Sequence, residues 1–174
     1  MSILSLQTKL PLLPGHIMLH PLTDKNKSVN IYDLISTSPC ILLIIKSTTC
    51  MLCRKMMDSM NQHASTFKNF NIKIHCILMG TLEDCILDQI QFDKADIYVD
   101  YSNSLYSILH NDYGNIGEVD FSDCEYACNE ANQELKDQNR DPCVVGGQLL
   151  VSEFGEVIYK SKEGHHHIPD IESI

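Results

Sequence analysis

Seven consecutive residues constrain the fold more than any other stretch of this chain. Cys40 to Lys46, CILLIIK, is apolar up to its final residue and is bounded by Pro39 and Ser47. The run is too short for a buried helix and has the length of a strand. Side chains of a strand point alternately to its two faces, so an apolar residue at every position predicts burial on both. Such strands belong in the middle of a parallel or mixed sheet.

The period changes directly after this run. Leu52, Met56, Met60, Ala64 and Phe67 recur at steps of three or four, which predicts one helix over Cys50–Phe67. Arg54, Lys55, Asp58, Asn61 and Gln62 fall largely on its other side. Ile72, Ile74, Cys76 and Leu78 then alternate, with Ile77 on the opposite face, and predict a second strand. A helix over Leu82–Phe92 follows, with Thr81 as its cap, and then a short strand at Asp96–Asp100. Asn103–His110 reads as a helix with Leu105, Ile108 and Leu109 on its apolar face. Gly146 and Gly147 introduce a strand over Gln148–Ser152. Glu153, Phe154 and Gly155 make a turn, and Glu156–Lys160 returns as the partner strand of a hairpin.

Two segments depart from this rhythm. Residues 1–30 read as an irregular N-terminal extension punctuated by Pro11, Pro14, Gly15 and Pro21. Within it Ile17–Leu22 is expected as a short edge strand, and Asn30 caps a short helix that runs through Ile35. Residues 111–142 are polar, acidic and poor in large aliphatics, and read as an insertion, partly helical over Asp123–Lys136. A further helix is expected to begin within Gly164–Ile174. The 174 residues suit one domain. Helices alternating with strands imply right-handed crossovers on a central sheet. The expected architecture is α/β and thioredoxin-like: a central mixed β-sheet flanked by helices, with the insertion before a terminal β-hairpin.

The net charge of −10 repels phosphate backbones and anionic lipid heads, so neither nucleic acid nor membrane is an expected partner. No apolar run approaches the roughly 20 residues of a bilayer span. Met1–Gly15 lacks a basic start, a sustained apolar stretch and a small-residue cleavage site. A reducing, cytoplasmic compartment is therefore expected. There the eight cysteines do not form a disulfide framework.

The segment that carries chemistry is Ser47-Thr48-Thr49-Cys50-Met51-Leu52-Cys53-Arg54. A buried strand ends there, and Cys-x-x-Cys opens a helix. The thiolate is the reactive form of cysteine, and a helix N-terminus offers unpaired N–H groups and a positive dipole end. Cys50 is placed to feel this most, and Arg54 adds positive potential. Cys53, one turn on, is placed to attack a mixed disulfide or sulfenic acid on Cys50. Two other readings stand beside the redox one. Both cysteines could be inert core thiols. A zinc site would require two more ligands, and Cys124 with Cys128 is the only other close pair. Those two share one face of the insertion helix and read first as buried structure. Cys40, Cys76 and Cys85 read as core, and Cys143 as structural.

Three stretches in order, the strand–CxxCR–helix unit, Ile97-Tyr98-Val99-Asp100 with Leu105-Tyr106, and Gly146-Gly147-Gln148-Leu149-Leu150-Val151 before the Gly155 turn, resemble the peroxiredoxin-like 2 group of AhpC/TSA-type proteins. The resemblance runs, with gaps, from about Ile31 to the C-terminus. It implies a thioredoxin-like fold and a thiol-dependent reductase or peroxidase. Cys50 then matches the first active-site cysteine and Cys53 the second. Gly147 falls where thioredoxins place a cis-proline facing the CxxC. Typical peroxiredoxins carry Pro seven residues and Thr or Ser three residues before the reactive cysteine. Leu43 and Ser47 stand there in this chain, so only the hydroxyl is kept.

The resulting expectation is an oxidoreductase with Cys50 as nucleophile, Cys53 as resolving thiol and Ser47, Thr49, Arg54 and Gly147 in support. Its substrate is a peroxide or a disulfide, and its reductant is a thiol such as thioredoxin or glutathione. No flavin, haem or dinucleotide motif is visible, so no cofactor is expected. Two rival readings keep the fold: a non-catalytic binding module that docks through the acidic insertion, and a specialised-metabolism enzyme with other chemistry. His165-His166-His167 reads as a solvated turn rather than a metal site, because neighbouring side chains point apart. His110, Asp100 and Asp112 read as caps or surface groups. Met51, Met56, Met57 and Met60 read as core filling.

Overall fold

A computed structural model describes residues 12–24, 26–45, 51–80, 96–110 and 146–162. The elements, in chain order, are β1 (Met18–Pro21), β2 (Val29–Asn30), α1 (Ile31–Ile35), β3 (Cys40–Ile45), α2 (Met51–Gln62), α3 (Ala64–Asn69), β4 (Lys73–Met79), β5 (Ile97–Asp100), α4 (Ser104–His110), β6 (Gly147–Val151) and β7 (Val157–Lys162). The strands form one seven-stranded sheet in the order β2-β1-β5-β4-β3-β6-β7. The expected helices over Leu82–Phe92 and Gly164–Ile174, and the insertion at 111–142, lie outside the described residues.

The apolar run behaves as its composition demands. All six residues of β3 are buried. It pairs in parallel with β4, Ile41 against Ile74 and Leu43 against Cys76, and antiparallel with β6, Leu42 against Leu149. Alternate residues of the sheet feed two cores. Cys40, Leu42, Ile44, Ile77, Leu149 and Val151 face α1 and α4, which contribute Ile31, Ile35, Leu105, Ile108 and Leu109. Ile41, Leu43, Ile45, Cys76, Leu78 and Leu150 face Cys53, Met57 and Met60 of α2 and Phe67 of α3. The β3–β4 connection through α2 is thus the crossover that parallel strands require.

Two expectations need correction. The strand near Ile17–Leu22 is not an edge strand. β1 lies between β2 and β5, and the two-residue β2 is the edge. Part of the irregular N-terminal stretch thereby joins the sheet. The single helix over Cys50–Phe67 is two helices. His63 adopts φ −99° and ψ 4°, and its N–H is shared between the Ser59 and Met60 carbonyls. The bend leaves Ala64 exposed while Phe67 remains buried. Asn30 caps α1 as expected, its Oδ1 accepting from the Tyr32 N–H at 2.9 Å.

The hairpin between β6 and β7 is locked to the N-terminal segment. The Ser152 Oγ accepts from the N–H groups of Phe154 and Glu156 at 3.3 and 3.1 Å. Gly155 has φ +84°, and its carbonyl accepts from the Leu13 N–H at 2.8 Å. The Tyr32 hydroxyl donates to the Leu13 carbonyl at 2.8 Å. A Cβ on Gly155 would stand 2.7 Å from the Tyr32 ring and hydroxyl. Gly155→Ala combines a left-handed backbone with this overlap, and a loss of roughly 2 kcal/mol is expected. A lower urea midpoint at unchanged slope is the measurement; an unchanged midpoint would contradict the packing described.

Candidate functional site

The expected thiol segment follows the C-terminal end of β3 in the chain, and in open α/β sheets that end is where ligands bind. β3 closes at Ile45 and α2 opens at Met51, one residue after Cys50. Cys50, Ser47 and Thr49 lie outside the described residues. The backbone of Arg54 lies in the first turn of α2, and its side chain is outside the description. Cys53 is the third residue of α2 and is fully buried, in the core formed by Leu43, Met57, Cys76 and Leu78.

Several physical features bear on thiol chemistry at this junction. α2 has no acidic residue in its first turn, so no carboxylate there offsets the positive end of the helix dipole. Its 12 residues hold the first turn against the sheet through Cys53, Met57 and Met60. Gly147 opens β6 and sits directly beside Ile44 of β3, one strand away from the line of the site. With no side chain it leaves the backbone there open to close approach.

Other cysteines behave differently. Cys40 stands at the opposite end of β3, fully buried, and burial pushes its thiol up to about 12. A thiol of that kind stays protonated and unreactive near neutral pH. Cys76 is also buried in the sheet. Cys85, Cys124, Cys128 and Cys143 lie outside the described residues, as do Asp112 and the His165–His167 run. Met57 and Met60 are core, and Met56 packs at its border. Among the described residues no three His, Cys, Asp or Glu side chains gather as metal ligands, and no helix is long and apolar enough to cross a membrane.

Gln148 and His75 are among the buried polar residues that escaped the sequence reading. Gln148 is 4% exposed and lies opposite Leu43, on the sheet face that carries α2. Its position in a strand otherwise apolar after Gly147 is a visible signal. His75 is equally buried, on the other face, and alternation alone marks it only as an interior position. Asp100, expected at a surface or a cap, is buried and caps α4: its Oδ2 accepts from the Leu105 N–H at 2.9 Å.

No protein-family model matches the sequence, and no curated protein matches it either. Solved structures do. Peroxiredoxin Q of Xanthomonas campestris superposes with a TM-score of 0.55 at 12% identity, over 88% of this chain and 84% of that one. The yeast mitochondrial 1-Cys peroxiredoxin gives 0.57 at 9% identity, over 95% and 71%. A protein assigned as the thiol:disulfide interchange protein DsbE of Chlorobium tepidum gives 0.54 at 13% identity, over 91% and 87%. At such identities the likeness concerns the fold. Together with the mixed sheet and the β3–α2 junction, it establishes that this chain has the thioredoxin-like fold that peroxiredoxins and thiol:disulfide interchange proteins share.

Proposed function

We propose that the protein is a thiol oxidoreductase working through the Cys50–Cys53 pair. One observation carries this reading: α2 begins one residue after Cys50, at the end of the central strand, and turns Cys53 into the core. With a peroxide, the Cys50 thiolate attacks one oxygen and the O–O bond breaks. Cys50 becomes a sulfenic acid, and the departing alkoxide or hydroxide takes up a proton. The Cys53 thiol then attacks that sulfur, forming the disulfide and releasing water. With a disulfide substrate, Cys50 displaces one thiolate and Cys53 displaces the other. In either case two electrons from an external thiol reductant restore the dithiol. The yeast neighbour is described as resolved through glutathione and thioredoxin systems, and a reductant of that class suits this chain.

The buried position of Cys53 orders the two thiols. Substrate meets Cys50, and Cys53 reacts only after its sulfur has come within bonding distance of Cys50 by movement in the first turn of α2. Intact-mass analysis with thiol alkylation, before and after mild oxidant, tests the pair, alongside a metal analysis of the purified protein. The expected result is loss of two alkylatable thiols on oxidation, mapped to the Cys50–Cys53 peptide and reversed by reductant. Stoichiometric zinc, with both cysteines protected until a chelator is added, would overturn the proposal.

A further inference from the structure

His75 sits where a histidine has no ordinary business. It occupies β4, between β3 and β5, and is 4% exposed. Neither ring nitrogen has a hydrogen-bond partner among the described residues. Asp96 Oδ1 lies 3.6 Å from Nδ1, beyond hydrogen-bond range, and the Asp96 side chain is half exposed. The register explains the juxtaposition. Cys76 pairs with Ile97 at the start of the β4–β5 ladder, so His75 and Asp96 face each other one step before pairing begins.

The groups around the ring define its charge preference. On β3, Leu42 lies directly opposite, and Cys40 on the same face stays protonated. On β5, Tyr98 meets the ring edge-on at 5.7 Å between centroids, and burial and Asp96 both keep its hydroxyl protonated. On β4 itself, Lys73 lies two residues away on the same face. α1 and α4 cover that face with Ile31, Ile35, Leu105, Ile108 and Leu109. Among the described residues two charges act on the ring, Asp96 for protonation and Lys73 against it, and burial opposes it most strongly.

We propose that His75 is an acid-sensitive weak point at the mouth of the β4–β5 ladder: proton uptake by this buried, unpartnered ring weakens the pairing of Cys76 with Ile97 and loosens the sheet there. A proton on the ring converts a neutral buried group into a cation with one distant, half-solvated partner. The imidazolium gains most by moving toward water, and among the described residues the half-exposed Asp96 side chain is the solvent-reaching group beside the ring. The unfolded chain accepts this proton at about 6.5, and the folded chain at a lower pH because burial disfavours the cation. Between those two values unfolding takes up a proton, so stability falls as pH falls. Above 6.5 this contribution is complete.

The test combines urea denaturation of the whole chain from pH 8 to pH 5 with direct observation of the histidine rings by NMR. Relative to His75→Leu, the unfolding constant of the native chain is expected to rise by up to about tenfold per pH unit in the window below 6.5. The His75 resonances should hold their neutral positions through 6.5 and titrate only below it. Amide exchange, corrected for its intrinsic pH dependence, should accelerate first at Cys76 and Ile97. The ring titration and the exchange measurement need no variant, and together they test the proposal even where His75→Leu fails to fold. Titration of His75 at or above 6.5, equal pH slopes with and without the histidine, or exchange that rises uniformly would each overturn the proposal.

Discussion

Replacing Cys50 with serine is expected to lower turnover by on the order of a thousandfold, to the uncatalysed background, with either a peroxide or a small disulfide as oxidant. A serine hydroxyl stays protonated at neutral pH, so the dipole of α2 has no anion to stabilise and the attacking electron pair is lost. Cys53→Ser has a different signature. The first half-reaction survives, and Cys50 accumulates as a sulfenic acid or as a mixed disulfide, detectable as one added oxygen or one added thiol by mass. Cys53 is fully buried among Leu43, Met57 and Leu78, so a hydroxyl there also perturbs packing. Cys53→Ala separates the two effects: it removes the resolving sulfur without introducing a hydroxyl into the core. Both Cys53 variants should trap the same adduct. A Cys50→Ser, Cys53→Ala double variant that retains turnover would falsify the dithiol mechanism and favour a reaction that borrows the fold.

The parts of the fold that the sequence announces are those whose signal is local. β3 shows itself because every one of its residues is apolar, and β4 because Ile74, Cys76 and Leu78 alternate against Ile77. α4 has three apolar residues at helical spacing, and all three are buried. The β6–β7 hairpin carries its turn chemistry in Ser152 and Gly155. What stays hidden depends on distant partners. The bend at His63 has no Gly or Pro to mark it, and it exists because Met60 and Phe67 both reach one core from a curved path. β1 gains its second neighbour from β5, far later in the chain, which no local pattern of MLHP reveals. Sequence pattern places His75 and Gln148 inside strands, and only the register shows which face each occupies and what it meets there. The candidate site divides in the same way. The strand and the helix start follow from periodicity, whereas the inward turn of Cys53 does not: the expected stripe runs through Leu52 and Met56, and the buried one runs through Cys53 and Met57. The parts assigned to Cys50, Ser47, Thr49 and the Arg54 side chain rest on their spacing in the sequence.

Asp100→Ala is expected to cost about 3 kcal/mol. Asp100 ends β5 and is 1% exposed, yet it carries a carboxylate. The carboxylate is retained because it organises the turn into α4. Its Oδ1 accepts from the Ser102 N–H at 3.0 Å and from the Ser102 hydroxyl at 2.6 Å. Its Oδ2 accepts from the Leu105 N–H at 2.9 Å, one of the N–H groups that a helix start leaves without a partner. These bonds hold Asn103 in its left-handed conformation, φ 54°, so that Leu105, Ile108 and Leu109 enter the core under the sheet. Alanine removes all three bonds and leaves the buried Leu105 N–H without its acceptor. Asp100→Asn retains one carbonyl acceptor and should lose only about 1 kcal/mol. Leu105→Ala removes the packing without touching the cap, at about 2–4 kcal/mol. Urea midpoints of the three variants and of the Asp100→Ala, Leu105→Ala double variant give the coupling. Because the cap exists to deliver Leu105, the double variant should lose less than the two single losses added together. Strict additivity would mean that α4 docks without help from Asp100, and that the buried carboxylate serves something other than the helix it caps.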